Sequence, residues 1–243
     1  MSTTRAVRAQ ARAEMVLSLR RGESLLVSFL IPIGILVFFT KVDAVNTNLR
    51  DPIDFLVPGV LALAVMSTAM VSLGIATGFE RRYGVLKRLG STPLSRGGLL
   101  AAKTATVVAI EAVQAIVIVV TGVALGWELT WRLLPALALL LVGTVAFAGI
   151  GLLMAGTLRA EANLAAANAL FLVLLFLGGM AYPLARLPDA LEAVAAALPA
   201  AALSESVRDV LAGRAFPWGS VTVLVLWAVV APLAAARWFT WEE

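Results

Sequence analysis

The sequence predicts an all-α polytopic membrane protein with six transmembrane helices, an N-terminal surface helix and an outer amphipathic region before the last span. Three observations carry this. Mean hydropathy is +0.96. Of the 243 residues, 61 % are apolar and 14 % charged, against about 45–50 % and about 25 % in an ordinary soluble domain. Several uncharged stretches approach or exceed the roughly 18 residues that read as a membrane helix. A soluble body of this size would lack the charges to cover its surface. Disordered, collagen-like and disulfide-stapled classes fail on the same composition.

Residues 1–23 carry Arg5, Arg8, Arg12, Arg20 and Arg21 against Glu14 and Glu23. The first three share a helical face, so the segment reads as a helix along the inner leaflet with its arginines on anionic headgroups. A secretory signal is the rival reading and is not expected, because the basic region is too long and no small-residue cleavage site follows residue 40. The first span covers 24–40, a short one, with Pro32 and Gly34 in positions that membrane helices tolerate. The others cover 55–79, 99–126, 133–158, 162–182 and 216–236. Residues 80–98 are the most charged segment. Residues 183–215 are interrupted by Pro183, Pro188 and Pro199 and contain weakly amphipathic pieces able to fold back into the membrane. The chain reads as one transmembrane domain, 1–243.

Charge sets the orientation. With the N-terminus inside, thirteen Lys and Arg lie on the inner side and six on the outer, which favours two cytoplasmic termini. The basic excess therefore serves topology, and nucleic acid is not a partner. The chain has no Cys and no His, which removes disulfides, thiolate nucleophiles, HExxH metal sites and Ser-His dyads. No metal site and no catalytic residues are expected. The protein does not read as an enzyme.

The segment between spans two and three is too long for a plain hairpin. It contains a short amphipathic turn with Val85, Leu86 and Leu89 on one side and Lys87 and Arg88 on the other. Gly90 can end that turn, and Thr92 before Pro93 suits a new helix start. Such a helix, held sideways at the membrane surface, is a shape for docking another protein.

These residues resemble the first cytoplasmic loop of permease subunits of type-2 ATP-binding-cassette (ABC) exporters, in particular the daunorubicin-resistance-like branch. The matching elements are Glu80, Arg81, Gly84, Leu86-Lys87-Arg88-Leu89, Thr92-Pro93-Leu94 and Lys103. A second match runs from Asn168 to Arg208. It takes in Gly178-Gly179, Tyr182-Pro183-Leu184, Leu187-Pro188, Leu198-Pro199 and Ser204-Glu205-x-x-Arg208.

The resemblance implies that Glu80 to Leu94 form a coupling helix seated in a separate ABC ATPase subunit, with ATP and Mg held there and no cofactor in this chain. It implies a second permease copy or sister permease, the bilayer of a bacterial inner (plasma) membrane, and outer re-entrant helices built on Gly178, Gly179, Pro183, Pro188, Pro199, Glu205 and Arg208. The cargo would be a hydrophobic or amphipathic compound: a drug, natural product, lipid or lipid-linked glycan. The stretch Gly97 to Thr104 superficially suggests a phosphate loop. It has Ala102 where Gly must precede the Lys, and it enters a membrane helix rather than following a strand.

Within the spans, Glu111 is the sole deep acid. A charge there costs on the order of 2.5–3.5 kcal/mol, so it must face protein or water. Gln114 lies on the same helical face. Glu111, Gln114 and Asn168 are read as part of a translocation path or as an interhelix polar contact, with Ser67, Thr68, Ser72, Asn163 and Asn168 as candidate partners of the acid. Gly74 with Gly78, and Gly122 with Gly126, have the spacing that lets helices approach closely. Two alternatives stand beside the exporter. One is a proton-coupled secondary transporter using Glu111, for which internal repeats are expected and not found. The other is a membrane assembly factor without a transport cycle.

Overall fold

The computed structural model describes residues 14–16, 22–42, 52–90, 96–180 and 183–240, with only the backbone for 22–28, 42, 89, 90 and 96. Apart from turns, the elements among these residues are helices: α1 (Gly22–Val42), α2 (Pro52–Arg82), α3 (Val85–Gly90), α4 (Arg96–Ala124), α5 (Leu133–Thr157), α6 (Ala160–Leu177), α7 (Asp189–Ala196), α8 (Pro199–Leu211) and α9 (Trp218–Trp238). A single 3-10 turn, Leu184–Arg186, precedes α7. Five of them, α2, α4, α5, α6 and α9, are long and apolar enough to cross a membrane. The expected all-α polytopic fold is the one observed. The place of the first expected span is taken by α1, whose apolar described stretch is the shorter Phe29–Lys41. Of the surface helix expected over 1–23, residues 14–16 and 22–23 fall within the described residues; 14–16 is helical, and 22–23 already belong to α1.

The boundaries depart from the sequence reading in instructive ways. The second span extends at both ends, to Pro52 and Arg82. Glu80, Arg81 and Arg82, expected in the loop, form the last turn of α2, because each finds a partner on a neighbouring element. Met66–Ser72 within α2 is π-helical, a widened turn that re-aims side chains. The fifth span stops at Leu177 rather than 182, where Gly178 and the left-handed Gly179 (φ +64°) turn the chain. Beyond it, α7 and α8 meet at an 86° elbow. Pro188 precedes the first residue of α7, and Pro199 opens α8, where a missing N–H costs nothing.

At the centre stands α5. It packs along α9 and against α2 and α8, and its small residues allow backbones to close. A Cβ on Gly151 would stand 3.0 Å from Met70 Cα, and one on Gly149 would stand 2.6 Å from Pro232 Cδ. Gly74 faces the Gly151 backbone and Gly78 faces Asn163, so this spacing is used for packing inside the chain. Gly122 packs on Val57, whereas Gly126, with φ +103°, belongs to the turn after α4. The most apolar stretch of α2 is 83 % buried, against 17 % for α9 and 22 % for α6. The core of the chain is therefore α2 with α5, while α6 and α9 present broad apolar faces outward.

Candidate functional site

Three groups of polar residues interrupt this apolar body, one at each end of α2 and one at its middle. At the end where α2 runs into α3, Lys103 of α4 is buried with its ammonium 2.6 Å from Glu80 and 2.8 Å from Glu14. One cation thus ties α4 to α2 and to the N-terminal segment. Next to it, the Arg81 guanidinium donates to the carbonyls of Ala155 (2.6 Å) and Leu158 (3.1 Å). Arg81 satisfies carbonyls at the C-terminal end of α5, where a helix leaves them unpaired and a cation complements the dipole. Arg82 pairs with Glu161 at the start of α6, and the Asn163 amide donates to the Gly74 carbonyl at 2.8 Å. The ends of α2, α4, α5 and α6 on this side of the body are thereby held together.

On this base sits α3. Gly84 adopts φ +70° and a Cβ there would meet no neighbouring atom within 4 Å, so its role is the left-handed turn that a β-carbon would oppose. The turn points Leu86 inward, fully buried, and leaves Tyr83 (69 % exposed), Val85 (41 %), Lys87 and Arg88 on the outer side. This redistributes the roles expected from the sequence. Leu86, expected to contact a partner, anchors α3 to its own chain. Glu80 and Arg81, also expected at the partner surface, are engaged inside. Thr92, Pro93, Leu94 and the side chain of Leu89 lie outside the described residues. The stretch 97–104 is helical, with Lys103 held by carboxylates, an arrangement opposed to a phosphate loop.

At the opposite end, Arg208 of α8 donates to the Gly179 carbonyl at 2.7 Å and pairs with Glu205. Its guanidinium carbon lies 4.0 Å from the centre of the Phe55 ring at the start of α2. The Ser204 hydroxyl donates to the Gly178 carbonyl. Gly178, Gly179, Glu205 and Arg208 thus form one clamp between α6, α8 and α2. Pro183, Pro188 and Pro199 stand at the starts of the helical pieces that follow Gly179.

Midway, the Thr144 hydroxyl of α5 donates to Glu111 Oε2, and the Thr68 hydroxyl, within the π-helical turn, donates to Gln114 Oε1 at 3.1 Å. Glu111 and Gln114 line a cavity of about 300 Å³ between α2, α4 and α5. Asn168 is not part of it. It is exposed on α6 and, among the described residues, bonds only the Leu164 carbonyl of its own helix, at 2.8 Å. Nor is the acid's partner any residue expected from the sequence. Thr144, which the sequence reading passed over, fills that role, and its only signal was a hydroxyl inside an otherwise apolar span.

The profile of the ABC-2 type transporter family matches residues 5–212. The chain belongs to this family. The permease is also 27 % identical over 234 residues to a Bacillus subtilis (strain 168) protein, "Putative transport permease YvfS", with 91 % of each chain covered. The match takes in α3, the mid-membrane cavity and the clamp, so all three groups lie within the part of the permease that defines the family. It is a multi-pass membrane protein of the transport class.

Proposed function

We propose that the chain is one membrane half of an ATP-driven exporter of a hydrophobic or amphipathic compound, working with a separate ABC ATPase and a second copy or sister permease. This reading adopts the daunorubicin-resistance-like branch, with ATP and Mg on the ATPase. It puts both termini and α3 on the cytoplasmic side of a bacterial inner membrane, as the excess of inner arginine and lysine favours.

The observation that carries it is α3. A six-residue helix projects from the body on a left-handed glycine, presents Tyr83, Val85, Lys87 and Arg88 outward, and rests on an ion network reaching three other segments. Movement of α3 by a partner would therefore be passed to α2 and α4. The exposed aromatic and aliphatic groups supply the apolar anchor of an interface, while Lys87 and Arg88 set its orientation and salt dependence. Family membership supports ATP coupling over proton coupling.

The test is co-purification. Tyr83→Ala with Val85→Asp is expected to leave insertion and abundance unchanged while lowering ATPase recovery at least tenfold. Undiminished recovery would contradict the assignment of this face.

A further inference from the structure

Neither the ion network under α3 nor the clamp on α8 uses the cavity at Glu111. Its volume, about 300 Å³, is at the lower end of small-molecule pockets. Its lining is apolar except for Glu111, Gln114 and Thr144. Two lining residues, Ala112 and Leu141, are exposed, so the cavity opens sideways between α4 and α5 at mid-span.

The polar groups are unequally satisfied. Glu111 Oε1 is buried and has no hydrogen-bond partner among the described residues. The Thr144 hydroxyl has one hydrogen, and it lies against both Glu111 Oε2 and the Leu140 carbonyl, the latter at 3.0 Å. The carboxyl therefore offers more acceptor capacity than its neighbours can fill. A buried acceptor left in this state is unfavourable, and a donor brought by a ligand relieves it.

We propose that this cavity binds a membrane-dissolved amphiphile with an apolar body and a single hydrogen-bond-donating head, an ammonium or a hydroxyl, which docks on Glu111. The apolar walls take the body, and the opening between α4 and α5 admits the molecule from the hydrocarbon layer rather than from water. The inference deepens the exporter reading and rests on it, because it names the class of compound gathered from the membrane.

Binding is measured on the full-length permease alone in lipid nanodiscs, so the result does not depend on ATPase docking. Three dansyl probes of equal chain length carry an ammonium head (monodansylcadaverine), a hydroxyl head or a methyl head. At least one donor-headed probe is expected to bind ten times or more tighter than the methyl-headed one. Glu111→Gln removes an ammonium preference and Glu111→Met removes either preference, which separates the two head chemistries. Ala112→Trp, placed at the exposed mouth, weakens all three probes, and Val120→Trp, also exposed, changes none. Equal binding of the three heads, or affinities indifferent to both Glu111→Gln and Ala112→Trp, would overturn the pocket while leaving the exporter reading standing. Undiminished ATPase recovery in the α3 variant, with the probe preference intact, would be the reverse case.

Discussion

The ion network beneath α3 and the polar group at Glu111 both place charge-bearing side chains in the interior, yet they are built on opposite plans. Beneath α3, Lys103 sits between two carboxylates, and Arg81 places its guanidinium on two carbonyls at the end of a helix. Around Glu111, one carboxyl oxygen meets a threonine and the other meets nothing among the described residues, beside a cavity. The difference teaches how to read buried polarity in a membrane protein. Fully matched groups hold helix ends in register, whereas a half-matched group beside space is available to a ligand.

Substitutions break or sharpen this contrast, and the largest effect is expected at Lys103. Lys103→Met leaves Glu80 and Glu14 without their shared cation. Removing one side of a buried pair costs about 3–5 kcal/mol, which should appear as lost abundance and a sharply lowered midpoint of thermal unfolding in detergent. Glu111→Gln keeps the Thr144 contact and should shift the same midpoint little. A Glu111→Gln loss as large as that of Lys103→Met would erase the distinction between the two regions.

Arg81→Met comes next. It strips two charge-assisted bonds from the end of α5, a loss of about 2 kcal/mol, read in the same unfolding assay. Gly84→Ala is smaller, about 1 kcal/mol, because a β-carbon there meets no atom and only the left-handed backbone opposes it. Its effect on ATPase recovery should exceed its effect on stability, since the turn sets where α3 points. Asn168→Ala is the smallest. An exposed amide bonded to its own helix should change the midpoint by less than about 0.5 kcal/mol.

Much of the fold is legible in the sequence because a membrane span is a local property. A run of apolar residues of sufficient length forms a helix whatever surrounds it, and α4, α5, α6 and α9 appear where the runs are. The ends were less legible. Glu80, Arg81 and Arg82 read as loop on charge alone, and only their partners on α4, α5 and α6, far away in sequence, let α2 continue through them. The site was readable in type but not in direction. Gly84 and the short helix after it are local features. Whether Leu86 or Val85 faces the body depends on how α3 meets the rest of the chain, and the pattern of six residues does not encode that. Thr144 was missed for a related reason: α4 and α5 are connected by a short turn, but which threonine comes level with Glu111 is set by helix rotation.

ATP-driven transport itself offers the most direct test. The permease and the proposed ABC ATPase partner, reconstituted into inside-out proteoliposomes, should accumulate a lipophilic compound only when ATP and Mg are supplied. Dissipating a proton gradient should leave that uptake intact, and Tyr83→Ala with Val85→Asp should abolish it. Uptake that proceeds without ATP, collapses with the proton gradient and is indifferent to the α3 substitutions would contradict the account.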